Sequence, residues 1–196
     1  MNGFEALEGI DKSWTLFLDR DGVINEEAVG HYITEWAEFK FCPEATNAIA
    51  RLSGIFGTII VVTNQRGVGR GIMTIDTLRD IHQRMHGEVV AQGGRIDQIY
   101  AATAVNDEDH NRKPNIGMGL QSREDFPQID FRKSVMVGNS ISDMEFGKRL
   151  GAFTVFLTTK SGPYEQMDDL INQQFPDLFS WSLALETQLE KSLEGV

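Results

Sequence analysis

Apolar residues come along the chain in short unbroken runs, separated by polar stretches. The runs are TLFL at 15–18, TIIVV at 58–62, IDQIYAA at 96–102, SVMV at 134–137 and FTVFL at 153–157. Each is rich in β-branched or aromatic residues and leads into polar or glycine-containing sequence. Continuous rather than alternating apolarity predicts strands buried on both faces, as in a parallel sheet. Helical periodicity fills the gaps. Residues 43–53 begin Pro43-Glu44, a favourable first-turn pair, and set Ala45, Ala48, Ile49 and Leu52 on one face. Residues 74–91 open at Thr74, an N-cap residue, and repeat Ile75, Leu78, Ile81, Met85 and Val89. Residues 141–150 form a third helix and GMGLQSRED at 117–125 a weaker fourth.

Alternating strands and helices predict βαβ units, hence an α/β fold with a mainly parallel sheet and helices on both faces. No internal repeat, linker or low-complexity segment divides the 196 residues, so residues 1–196 read as one domain. After about residue 160 the pattern weakens to a loop and a short amphipathic helix carrying Leu185, Leu189 and Leu193.

In such sheets ligands bind outside the carboxyl ends of the strands. The residues found there are Asp19 and Asp21 after the first strand, and Thr63, Asn64 and Gln65 after the second. Arg112 and Lys113 follow the third after a longer loop, and Asn139, Ser140 and Asp143 follow the fourth. Singly, each has an ordinary explanation: a strand end, a turn, a solvated pair, a helix cap (Ser140 and Asp143 have capping-box spacing). Together they suit phosphoryl transfer. Asp19, ionised at an ordinary aspartate pKa of about 3.9, serves as nucleophile. Asp21, two residues on and so on the same side of the strand, serves as acid and base. Gly22 permits a sharp turn and close approach to a bound group. Concentrated negative charge calls for a hard divalent cation, Mg²⁺, held by Asp19, Asp21, Asn139 and Asp143. Thr63 and Lys113 would orient and neutralise the phosphoryl oxygens.

A formal net charge of −11 argues against nucleic acid or anionic membrane as partner and leaves a small phosphorylated metabolite. The single cysteine, Cys42, rules out an intramolecular disulfide and a cysteine-based zinc site. The absence of a signal-peptide pattern and of a bilayer-length apolar run predicts a cytoplasmic protein. The sequence leaves monomer and small homo-oligomer equally open.

The stretches FLDRDGVIN, VVTNQRGVGRG, RKP and VMVGNSISDMEFGKRLGA resemble the four motifs of the haloacid dehalogenase-like phosphatases. Within that superfamily they are most similar to the group of histidinol-phosphate and heptose-bisphosphate phosphatases, over residues 14–160. The resemblance implies a Rossmann-like three-layer sandwich with a minimal cap, nucleophile Asp19, acid/base Asp21 and Mg²⁺. It also implies phosphate ligands Thr63 and Lys113, and substrate contacts from Asn64, Gln65 and Arg112. The segment 26–36 becomes the cap-like loop, where His31 and Tyr32 either meet the leaving group or stabilise the loop itself.

Two departures stand out. The zinc-binding loop of most relatives is replaced by the cysteine-free YAATAVNDEDHNRKPN, which is left to packing for its order. Asn139 and Ser140 replace an aspartate and, in the heptose enzymes, a lysine, which points to altered specificity or weakened metal affinity. Histidinol phosphate and heptose bisphosphate are therefore both candidate substrates. A catalytically weakened binding or regulatory module and a polynucleotide 3′-phosphatase are the rival readings. His82 and His86, one helical turn apart, read as a surface helix face.

Overall fold

The computed structural model describes residues 5–7, 9–28, 30–159 and 169–194. Six parallel strands form one sheet: β1 (Thr15–Leu18), β2 (Thr58–Asn64), β3 (Gln98–Ala102), β4 (Ser134–Gly138), β5 (Phe153–Leu157) and β6 (Gln173–Phe175). Their order is β3-β2-β1-β4-β5-β6, all neighbours parallel. The helices are α1 (Ala45–Ile55), α2 (Arg66–Gly69), α3 (Ile75–Ala91), α4 (Gly117–Asp125), α5 (Ile141–Leu150) and α6 (Leu178–Glu194). The chain winds outward from β1 to β3 and then returns to the other side of β1 with β4. The crevice at this reversal, above the carboxyl ends of β1 and β4, is where an open α/β sheet places its ligand.

Strand alternation divides the core into two layers. Leu16, Leu18, Ile59, Val61, Val135 and Val137 pack against α1, α3 and α6, with Phe56 and Trp181 fully buried among them. Phe17, Ile60, Val62 and Met136 face the opposite layer, where Met118 of α4 and Phe146 of α5 close over them. The three-layer arrangement follows directly: strands apolar on both faces need a cover on each.

Thr74 caps α3 by accepting from the Thr77 amide, as its position in the sequence suggested. The start of α1 differs. Glu44 adopts a left-handed conformation (φ 57°), so Pro43-Glu44 forms the turn before the helix rather than its first turn. The Glu44 carboxylate accepts from the Asn47 amide at 2.6 Å, which fixes that turn. The C-terminal region is also richer than its pattern suggests. β6 is short and polar, QQF, and escapes a search for apolar runs, while α6 is a full 17 residues. Trp181 joins the two by donating from Nε1 to the Gln173 side chain. Leu185 is buried and Leu189 partly so, whereas the side chain of Leu193 and the loop expected at 160–168 lie outside the described residues.

Candidate active site

Lys113 organises the crevice. Its Nζ lies 2.9 Å from Asp19 Oδ1 and 2.6 Å from Asp143 Oδ1, and it donates to the Val62 carbonyl at 2.6 Å. An ammonium has three protons, and three acceptors surround this one. Burial opposes its charge, but Asp143 and Asp19 outweigh that and hold Lys113 above the ordinary lysine range. One cation between two buried carboxylates leaves the cluster short of positive charge. Asp19 shows the consequence: burial, then the neighbouring Asp143 charge, pushes it up to about 7 against the pull of Lys113. The ordinary aspartate pKa assumed from the sequence therefore does not hold for Asp19 beside Asp143.

Asp143 divides its two oxygens between fold and site. Oδ2 accepts from the amides of Asn139 and Ser140 and from the Ser140 hydroxyl, completing the capping box of α5. Oδ1 is buried and has Lys113 as its one partner among the described residues. Gly138 permits this approach, because a Cβ there would lie 2.3 Å from that of Asp143.

Asp21 points into a different set of partners. Its Oδ1 accepts from Arg20 Nη2 at 2.7 Å, Arg20 Nε at 3.2 Å and Asn25 Nδ2 at 2.9 Å; its Oδ2 accepts from Gln65 Nε2 at 2.8 Å. Burial works to raise its pKa, but Arg20 and these hydrogen bonds prevail and hold it below the usual carboxylate range. The two aspartates of the DxDG stretch thus sit in opposite electrostatic surroundings, a pattern that separates roles.

The remaining candidates are brought to the same place in differing ways. Gln65 bridges Asp21 and the Thr63 hydroxyl, which accepts from it at 2.9 Å. Thr63 is almost fully buried and does not line the cavity. Asn64 lines the cavity, but its amide exchanges two 3.0 Å hydrogen bonds with the Lys113 backbone and so fixes that lysine's position. Asn139 donates from Nδ2 to Thr159 at 3.1 Å and weakly to Glu27 at 3.5 Å. Among the described residues no group of three His, Cys, Asp or Glu side chains is arranged as a metal site.

Arg20 was not singled out from the sequence, and His82 was read there as part of a surface helix face. Arg20 is 1% exposed, and a buried guanidinium must find acceptors. Its Nη1 meets His82 Nε2 at 3.2 Å. His82 is therefore half-buried rather than on an open helix face: it lies between Leu78 and Met85 at the edge of the buried stripe of α3, a spacing that turns it towards Arg20. Burial, and then the charge of Arg20, lowers its pKa to about 3. His86 is exposed, as expected.

A cavity of about 290 Å³ opens above Asp19 and Asp21, roofed by Glu27, Ala28, His31, Tyr32 and Ile33. This segment is the small cap anticipated from the sequence. Tyr32 accepts from Arg70 at 2.9 Å, so its hydroxyl is engaged with the body of the protein. Arg112 lines the far wall. The cysteine-free loop that carries it is ordered by polar contacts, not by packing alone. Asp107 pairs with both Arg66 and Arg112, and Asn115 donates to the carbonyls of Asp107 and Asp109. Arg112 Nη1 is buried and has no hydrogen-bond partner among the described residues.

A doubly wound sheet with a strand-end aspartate beside a buried lysine and further aspartates is an arrangement suited to phosphoryl transfer. The family described as polynucleotide kinase 3 phosphatase matches residues 16–169. The D-glycero-alpha-D-manno-heptose-1,7-bisphosphate 7-phosphatase of Mycobacterium bovis is 36% identical over 140 residues, 71% of this chain and 74% of that protein. The beta-form enzyme of Pseudomonas putida is 37% identical over 148 residues, 75% and 83% of the two chains. The crystal structure of D,D-heptose 1,7-bisphosphate phosphatase from B. bronchiseptica, complexed with magnesium and phosphate, matches with a TM-score of 0.81. Its identity is 27%, covering 89% of this chain and 99% of that one. The chain belongs to the haloacid dehalogenase-like phosphatases, in the group that contains the heptose bisphosphate phosphatases.

Proposed function

We propose that this chain is a Mg²⁺-dependent phosphomonoesterase that removes a terminal phosphate from a sugar bisphosphate of the heptose 1,7-bisphosphate type. The observation that carries this reading is the charge imbalance of Asp19, Lys113 and Asp143, in which two buried carboxylates share a single ammonium. Those features fit a hard divalent cation with oxygen ligands, drawn from Asp19 and Asp143 with Asn139 beside them. Asp21 has both side-chain oxygens engaged, which limits its share in that site. When bound, Mg²⁺ supplies positive charge that lowers the pKa of Asp19 and screens the phosphoryl oxygens.

The side chains then divide the work. An Asp19 oxygen attacks phosphorus, and the bond to the leaving alkoxide breaks as Asp21 gives it a proton. Asp21 gains that proton beforehand as the phosphoryl dianion enters, because the dianion's charge opposes that of Arg20. In the second half Asp21 takes a proton from water, whose oxygen attacks phosphorus and releases Asp19 and phosphate. Lys113 holds charge balance at Asp19 throughout, and the free Nη1 of Arg112 offers a donor to a substrate oxygen.

Support for a small substrate comes from the cavity of about 290 Å³. It comes also from the net charge of −11, which is unsuited to a polynucleotide. The curated relatives named above point the same way. The family's name favours a second reading, a polynucleotide 3′-phosphatase. Release of phosphate from heptose 1,7-bisphosphate, histidinol phosphate and a 3′-phosphorylated oligonucleotide, each with Mg²⁺ and with EDTA, separates these readings. Full activity of Asp19→Asn would refute the mechanism. Absence of metal-dependent turnover on every ester would indicate a binding module instead.

A further inference from the structure

We propose that His82 is a positioning residue for the acid/base Asp21, acting through Arg20. The proposal rests on the reading of Asp21 as the proton donor. His82 Nε2 lies 3.2 Å from Arg20 Nη1, and Arg20 donates through Nη2 and Nε to Asp21 Oδ1. The chain of contacts runs from α3 to the second aspartate after β1, and its His82–Arg20 step spans 62 residues of sequence.

The chemistry of the contact fixes its direction. A guanidinium only donates, so Nε2 of His82 must accept, and the ring proton resides on Nδ1. Protonated His82 would present a second cation to Arg20 and lose the bond. Arg20 is almost fully buried, and His82 is the acceptor the described contacts give its Nη1. Taking away that acceptor leaves a buried donor unsatisfied, and the fork is free to rotate about the Asp21 contact. Asp21 would keep its identity and lose its aim. General acid catalysis depends on that aim, because a proton donor acts only within hydrogen-bond reach of the leaving oxygen.

The structure also supplies a route for a test. A second cavity, of about 360 Å³, is lined by His82 together with Arg79, Gln83 and His86 of α3 and Asp97 and Gln98 at the start of β3. Free imidazole can therefore reach the place vacated by His82→Ala. The experiment compares kcat/KM for heptose 1,7-bisphosphate, whose alkoxide leaving group needs a proton, with p-nitrophenyl phosphate, whose leaving group does not. This parameter reports steps up to departure of the leaving group, so the later attack of water does not obscure it.

For H82A we expect a fall of about 10- to 100-fold on the sugar ester and a change within about threefold on the aryl ester, given that general acid catalysis contributes about 10²–10⁴. Added imidazole, or His82→Gln, which restores an acceptor, should recover most of the loss. His82→Leu, which fills the space without an acceptor, should behave as H82A does and replaces it if that variant fails to fold. Equal losses on both esters, no loss on either, or no recovery by imidazole and H82Q would overturn the proposal. Asp21→Asn is the control. If it fails to discriminate between the esters, the acid/base reading itself is wrong; if it discriminates and H82A does not, only the role of His82 is.

Discussion

The side-chain amide of Asn139 occupies the space that a β-carbon on Gly22 would need. A Cβ at Gly22 would come within 1.8 Å of Asn139 Nδ2, and Gly22 itself sits at φ +80°. The glycine that ends the DxDG stretch is thus required twice, for its backbone and for what lies against it. Gly22→Ala should cost about 1–3 kcal/mol from the left-handed backbone and the displaced amide. Because the backbone N–H of Asn139 donates to Asp143, movement of this residue reaches the cation site. A loss of activity on the order of 100-fold is expected for displacement of this size, measured as kcat/KM with saturating Mg²⁺. An active G22A of unchanged stability would contradict this packing.

Lys113→Met tests the charge balance around Asp19. The variant leaves Asp19 and Asp143 buried without their shared cation, a loss of roughly 3–5 kcal/mol for a broken buried pair. In the wild type Asp19 already has a raised pKa of about 7, so the folded state binds more protons than the unfolded state between about pH 4 and 7. Its contribution therefore makes the cation-free protein less stable as pH rises through that window. In K113M the decline should extend further above pH 7, because the pull of Lys113 on Asp19 is gone. Urea midpoints across pH 5–8 in EDTA measure it. Phosphatase activity should be abolished at every pH.

The parts of the fold that were legible in the sequence are those carried by continuous apolarity. Runs such as TIIVV can be buried only between two helical layers, and that constraint alone calls for the parallel sheet. The site was legible because topology gathers strand ends, so Asp19, Lys113 and Asp143 were found without knowing their distances. What escaped depended on side chains that choose partners far away in sequence. β6 is two glutamines and a phenylalanine, recognisable only once Trp181 is known to reach Gln173. The order of the loop around Asp107 rests on Arg66, 41 residues distant. Arg20, between the two aspartates, reveals its part only through its burial, which requires acceptors.

Asp107→Ala tests whether that loop is held by its polar contacts. Asp107 is largely exposed, and exposed ion pairs add little to global stability. Thermal unfolding should therefore stay close to wild type, while Arg112 loses the partner that sets its place on the cavity wall. KM for the sugar bisphosphate should rise by about 3- to 10-fold with kcat within twofold, the signature of lost uniform binding. A zinc-selective chelator should leave both enzymes unchanged. A fall in kcat with unaltered KM would instead assign Asp107 to the reaction itself.

The coupling of His82 to Arg20 also predicts an acid sensitivity separable from that of the carboxylates. In the unfolded chain a histidine gains its proton below about pH 6.5. In the folded protein burial and Arg20 delay protonation of His82 until about pH 3. Between those limits the unfolded state binds the extra proton, so stability rises with pH and is lost as pH falls. Asp21, with its depressed pKa, adds a similar loss that sets in only at lower pH, near the carboxylate range. Wild type and His82→Gln share the aspartate contribution, so the difference between their urea midpoints isolates the histidine. Relative to H82Q, the wild type should become progressively less stable from pH 6.5 down to pH 4. Parallel curves across that range would show that His82 already carries its proton in the folded protein, and the hydrogen bond it accepts from Arg20 would not exist.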